Sequence, residues 1–182
     1  MKLKYCISRV FIVLFMVLVG LVAVSNASQG SGDNTLQLSG SFTHSQGADS
    51  GVLNLDVAYG RLLTDSLEIG ILQYLGYSFI DNADDTWVAS TIPYINYHFS
   101  GSSGSDKFLP FVGAFIGASY NDEDTTGTIG PQLGFKSFVK DSTFILVRYR
   151  YEWFFDELTV DDVEDSKSDG NHVVTLGVGF IF

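Results

Sequence analysis

His172-Val173-Val174-Thr175-Leu176-Gly177-Val178-Gly179-Phe180-Ile181-Phe182, the final stretch of the chain, decides the fold. Val174, Leu176, Val178, Phe180 and Phe182 share one parity and are large and apolar. Val173, Thr175, Gly177, Gly179 and Ile181 share the other and are mostly small. Successive side chains of a strand point to opposite faces, so one face here is broad and oily and the other leaves room for neighbours. Such a strand suits acyl chains on its large side and a crowded interior on its small side.

The same period-2 alternation recurs in seven stretches upstream, separated by turns or polar patches. Thr35–His44 sets Leu36, Leu38 and Phe42 against Gln37, Ser39, Ser41 and Thr43. Val52–Gly60 sets Leu53, Leu55, Val57 and Tyr59 against Asn54, Asp56, Ala58 and Gly60. Leu67–Phe79 carries Leu67, Ile69, Ile71, Leu75 and Tyr77 on its apolar face, which Gln73 interrupts. Trp87–Phe99 opposes Trp87, Ile95, Tyr97 and Phe99 to Ser90, Tyr94, Asn96 and His98. Phe108–Tyr120 is apolar on both faces, so its parity stays open. Thr126–Phe138 opposes Ile129, Pro131, Leu133 and Phe135 to Thr128, Gly130, Gln132, Gly134 and Lys136. Thr143–Phe155 opposes Ile145, Val147, Tyr149, Tyr151, Trp153 and Phe155 to Arg148, Arg150 and Glu152. Each stretch reaches the roughly 9–11 residues that a tilted membrane strand requires, and the count of eight is even. The expected fold is all-β: an eight-stranded antiparallel up-and-down transmembrane β-barrel. Pro93 and Pro131 cannot donate to a ladder, so each predicts a local bulge or a lost bond.

The front of the chain is of another kind. Lys2, Lys4 and Arg9 precede the apolar run Val10–Val24, and Ser25-Asn26-Ala27 supplies small residues at a cleavage site. This pattern predicts a secretory signal peptide over residues 1–27, cut after Ala27, and a barrel domain over 28–182. The run has fifteen residues, short of the about twenty that a membrane helix needs. The single cysteine, Cys6, would leave with the signal, and the mature chain would have no disulfide and no thiol-based metal site. It would carry 7 Lys and Arg against 21 Asp and Glu. A charge that negative predicts no nucleic-acid partner.

With both termini on the periplasmic side, the charges sort by location. The outer connections hold Asp49; Asp81, Asp84 and Asp85; Asp122, Glu123 and Asp124; and seven acids from Asp156 to Asp169, with Lys167 the one base. Within the stretches lie Asp56, Glu68, Lys136, Arg148, Arg150 and Glu152, three negative and three positive, all opposite the large apolar residues. The interior of an eight-stranded barrel is just filled by its own side chains. Charges there are tolerated when paired and hydrogen-bonded. The six are therefore expected to form an interior charge network that plugs the bore rather than a gated ion path. The inner turns read as short, the final outer loop, Asp156–Gly170, as the longest, and aromatics near both ends of the stretches as interfacial girdles. Trp87, Tyr120, Trp153 and Phe155 stand near the outer ends, and Tyr59, Phe99, Phe108, Phe180 and Phe182 near the inner ends.

The stretch Tyr59–Gly70 (YGRLLTDSLEIG), the pairs Pro93-Tyr94 and Pro110-Phe111, Phe111–Tyr120 (FVGAFIGASY) and the terminal GVGFIF together resemble the small outer-membrane β-barrel family of OmpA/OmpX type, which includes opacity-like surface proteins. The resemblance covers the expected mature chain. It implies the outer membrane of a Gram-negative-type cell. It also implies insertion by the barrel-assembly machinery, with Leu176, Val178, Phe180 and Phe182 as the C-terminal assembly signal. Outer-membrane lipid and lipopolysaccharide are the implied surroundings; no catalytic residue and no cofactor carries over.

Three chemistries compete with a structural or surface-interaction (adhesin-like) role. His98-Phe99-Ser100 and the rim residues His44 and His172 suggest a lipid A-modifying barrel enzyme, but no nucleophile–base–acid set assembles around them. The outer acids supply hard oxygen ligands for Ca²⁺ or Mg²⁺, which could bridge to lipopolysaccharide phosphates. The segment Asp165–Gly170 fails the EF-hand pattern, since Lys167 stands where an acidic ligand belongs and Leu176 where the closing Glu belongs. Leu72, Val112 and Ile116 could line a hydrophobic path in a small-solute pore. The expectation is a non-enzymatic barrel whose outer loops carry any extracellular ligand.

Overall fold

The computed structural model describes residues 29–45, 50–80, 86–99, 108–121, 125–155 and 170–182. The expected signal peptide with Ala27, and all fourteen acids of the outer connections, lie outside the described residues.

Eight strands follow in chain order: β1 Asn34–Ser45, β2 Ser50–Leu62, β3 Leu67–Ile80, β4 Thr86–His98, β5 Phe108–Tyr120, β6 Thr125–Lys140, β7 Thr143–Phe155 and β8 Asn171–Ile181. Every neighbouring pair is antiparallel, and β8 returns to β1 to close the barrel. The connections do not follow a simple short-inside, long-outside rule. The β4–β5 connection on the inner side is longer than three of the four outer ones, so the asymmetry rests on the β7–β8 connection alone.

Alternation becomes a two-faced wall. Ile69, Ile71, Ile95, Tyr97, Val112, Ile116, Leu133, Ile145, Val174, Leu176 and Val178 form an exposed apolar band around the outside. A surface this apolar is at home against lipid tails. Inside, Ala58, Leu72, Ile92, Tyr94 and Phe115 pack as one buried group and Phe111, Phe144, Leu146 and Ile181 as another. The doubly apolar β5 settles its parity by size: Leu109, Phe111 and Phe115 fill the interior, while Val112 and Ile116 face outward. Val112 and Ile116 therefore line no internal path, and Leu72 is packed among core side chains.

Glycines make the interior fit. A Cβ on Gly60 would stand 2.6 Å from the Thr35 hydroxyl and 2.7 Å from the Tyr94 hydroxyl, and would also collide with the Glu68 carboxylate. On Gly179 it would collide with the Phe144 ring. Phe155 departs from the outer aromatic set: it is buried, because Gly127, its register partner on β6, leaves room for the ring.

Both prolines interrupt pairing without shifting register. The β4–β5 ladder skips from Thr91↔Ala118 to Tyr94↔Phe115, and the β6–β7 ladder from Ile129↔Trp153 to Gln132↔Arg150. The bulge falls elsewhere, between Phe138 and Lys140, beside the tight turn at Asp141-Ser142. The start of β1 meets the residue that follows β8: Asn34 N donates to Phe182 O at 2.9 Å and Phe182 N to Asn34 O at 3.0 Å. Ahead of β1, a turn closed by Asp33 N donating to Gly30 O (3.2 Å) needs Gly32 at φ +95°, a left-handed conformation that costs glycine nothing.

The β1–β8 seam is shorter than the others. It runs from Thr35↔Ile181 to Ser39↔Gly177. Beyond Ser39, β1 continues to Ser45 paired with β2, and β8 begins at Asn171 paired with β7.

Candidate functional site

The charged interior is the place where chemistry is concentrated. Its inner end is organised by one carboxylate. Glu68, on the even-numbered inward face of β3, is fully buried. Its Oε1 accepts from the Thr35 hydroxyl at 2.6 Å, the Tyr94 hydroxyl at 3.4 Å and Gln37 Nε2 at 3.5 Å. Its Oε2 stands 3.0 Å from Lys136 Nζ and 2.8 Å from His98 Nε2. Thr35 and Gln37 come from β1, Tyr94 and His98 from β4 and Lys136 from β6, so the carboxylate ties together walls on both sides of β3. Lys136 Nζ also reaches Gln29 Oε1 at 3.4 Å and lies 5.0 Å from the Phe144 ring centroid. The His98 ring packs edge-on to Phe111.

Further out the ties thin. Arg148 Nη1 donates to Gln37 Oε1 at 3.4 Å, which links it to the Glu68 cluster through one amide. Arg150 pairs with Glu152 at 3.2 Å and lies 5.7 Å from the centre of the Phe115 ring. Asp56 accepts from the Ser39 hydroxyl at 3.1 Å. Arg148 Nε, and Arg150 Nε and Nη1, have no hydrogen-bond partner among the described residues. Of the six charges expected to act together, the structure joins Glu68 to Lys136 and Arg150 to Glu152. Arg148 and Asp56 are held by neutral side chains instead.

Sequence reasoning missed the neutral half of this cluster. Thr35 enters that reading only as the start of a stretch, Gln37 and Tyr94 only as side chains opposite the apolar face, and His98 as a catalytic candidate beside Ser100. The β3–β4 register sets Leu67 against Tyr97 and Glu68 against Asn96, which brings His98 alongside Glu68 at the inner end. That neighbourhood follows from pairing the two stretches as a hairpin. Ser100 lies outside the described residues. His172 is exposed on the outer rim, where its Nδ1 stands 2.6 Å from the Tyr149 hydroxyl. The side chain of His44 lies outside the described residues. Among the described residues no group of three His, Cys, Asp or Glu could hold a metal ion.

One polar group on the outward face joins three strands. Thr91 donates to Gln73 Oε1 at 2.8 Å, Gln73 Nε2 donates to the Tyr120 hydroxyl at 3.1 Å, and the Tyr120 and Thr91 hydroxyls are 3.2 Å apart. With Thr91 already donating to Gln73, the Tyr120 proton points to Thr91 and the three close a ring. That closure lets Gln73 interrupt an apolar face, since no donor among the three is left bare toward lipid. Of the expected assembly-signal residues, Leu176 and Val178 are exposed on the outer face, and Phe180 and Phe182 are half-buried.

No family model matches the sequence, and no curated protein matches it. Solved structures do. Neisserial surface protein A (NspA) aligns with a TM-score of 0.56 at 15% identity, over 82% of this chain and 96% of that one. The outer membrane protein OprG from Pseudomonas aeruginosa aligns with 0.52 at 12%, over 85% and 98%. The N-terminal β-barrel domain of Pseudomonas aeruginosa OprF aligns with 0.50 at 19%, over 85% and 100%. At these identities the likeness is one of fold: the chain has the fold of small eight-stranded outer-membrane β-barrels.

Proposed function

We propose that this outer-membrane barrel is a non-enzymatic envelope protein with a structural or surface-interaction role, whose contacts are made by its outer connections and not through its bore. The observation that carries this reading is the cross-bracing at Glu68, whose two oxygens draw in hydroxyl, amide, imidazole and ammonium groups from β1, β4 and β6. An interior tied across in this way, with Phe144, Leu146, Leu72 and Arg148 filling the space around it, supports a plug and not a conduit. The cluster also lacks the parts of an active site. Its carboxylate is saturated, and its lysine and histidine are sealed from solvent.

The acids of the outer connections supply the contact chemistry in this proposal. Their oxygens suit Ca²⁺ or Mg²⁺ held against lipopolysaccharide phosphates, or a complementary extracellular ligand on a rigid scaffold. A deletion strain tests the role: adhesion or sensitivity to serum and detergent is expected to change, while the lipid A profile stays as in the parent. Purified barrel in planar bilayers is expected to pass no discrete current; stepwise conductance, or an altered lipid A profile, would overturn the reading. For the cation part, chelation should lower thermal stability in lipopolysaccharide-containing membranes, and an unmoved transition would remove it.

A further inference from the structure

Among the described residues, the short seam leaves two strand edges unpaired. Positions 40–45 of β1 are paired on the β2 side only, and positions 171–176 of β8 on the β7 side only. Each edge presents a row of backbone N–H and C=O groups for which the described residues supply no neighbour. Both lie in the outer half of the wall, the half away from the Asn34–Phe182 junction. There Val174 and Leu176 are 73% and 67% exposed, more than any other large apolar side chain among the described residues. Hydrocarbon offers these groups no hydrogen bonds, and membrane barrels do not leave such edges open to it. An acyl chain cannot satisfy them; another strand can. On the β8 side of this gap, Thr175 and Val173 are the register partners of Arg148 and Arg150, some of whose nitrogens have no hydrogen-bond partner among the described residues.

We propose that a second copy of this chain completes the two edges, β8 of each copy pairing with β1 of the other. The hydrogen-bonding complementarity is built in, because the edges are the two sides of one seam and continue its register. That register would set Gly40 opposite Leu176 and Phe42 opposite Val174. Two copies inserted the same way share their orientation, so the two-fold axis relating them runs along the membrane normal. That axis places β8 against an oppositely directed β1, and symmetry supplies the second pairing at once. The assembly closes at two copies with no edge left over, whereas a partner that offered a single strand edge would leave one of the two bare.

Cysteine pairs distinguish the arrangements in full-length protein carrying Cys6→Ser. Leu38→Cys with Val178→Cys lies in the paired half of the seam and should oxidise to a cross-link within one chain. Phe42→Cys with Val174→Cys lies in the bare half and should give a disulfide-linked dimer as its main product. A within-chain cross-link at the second pair, or none, overturns the proposal. Unsubstituted protein gives an independent readout. Mass spectrometry from detergent or nanodiscs should find dimers, and amides 171–176 should exchange at least tenfold more slowly in the dimer than in monomer obtained by dilution. A monomer at all concentrations overturns the proposal as well. The pairing rests on the membrane-spanning reading, and the two fail differently: protein soluble without detergent defeats that reading, whereas a detergent-requiring monomer defeats only the pairing.

Discussion

Replacing Glu68 with Gln should weaken the barrel more than replacing the lysine it faces. Glu68 and Lys136 are both wholly buried and 3.0 Å apart. An amide keeps the shape but loses the charge, and one of its two heads becomes a donor pointed at other donors. Lys136 is then an ammonium without a counter-ion, left with neutral acceptors such as Gln29 Oε1 at 3.4 Å. Stripping one partner from a buried pair costs about 3–5 kcal/mol. Lys136→Met leaves a gentler problem. Glu68 keeps the Thr35 hydroxyl at 2.6 Å and the His98 ring at 2.8 Å. That loss should be about 1–3 kcal/mol, the range of a charged hydrogen bond. The double variant strands no ion, so its cost should fall well below the sum of the two. Urea unfolding in phospholipid vesicles, followed through Trp87 and Trp153, measures all three. Equal single costs that add in the double variant would refute the coupling inferred here.

Gly60→Ala should cost about 1–3 kcal/mol, because its methyl group would stand 2.6 Å from the Thr35 hydroxyl; the same unfolding assay reads it, and an unchanged midpoint would show that the interior can yield there. Arginine on the outer face should cost by depth: Leu133→Arg, near the middle of β6, about 2–4 kcal/mol, and Val139→Arg, at its inner end, about 0–1 kcal/mol. Equal costs in vesicles would contradict the assigned membrane level. Gln73→Leu should lose less than about 1 kcal/mol, since Thr91 and Tyr120 keep their own bond at 3.2 Å. A larger loss in the unfolding midpoint would mean that the ring acts as a unit.

Strand number and most strand faces were legible in the sequence because the side-chain period of a strand is two and a membrane barrel makes its faces chemically opposite. Phe108–Tyr120 and Thr143–Phe155 coincide with β5 and β7 end for end. The facing of β5 was not legible, because both of its faces are apolar and only ring size separates Phe111 and Phe115 from Val112 and Ile116. The Gln73 ring was hidden for another reason. Its members lie on three strands, and only the register brings residues 18 and 29 positions apart into one group. The short seam has no sequence signal, since alternation continues unbroken through the bare part of β8. Of the two outcomes expected at the prolines, the ladder shows the lost bond: each lies where pairing is interrupted without a change of register, while the extra residue is taken up beside the two-residue turn.

The reciprocal bonds between Asn34 and Phe182 make the order of the strands separable from their neighbourhood. A circular permutant with residue 182 spliced to residue 34 by a brief linker, and cut open at Asp141-Ser142, would contain the same eight walls in the same ring. Its final strand would be β6, ending in Lys140 in place of an aromatic. Refolded from urea into micelles, that rearranged polypeptide asks whether the architecture depends on which strand is made last. Produced in cells, it asks whether delivery does.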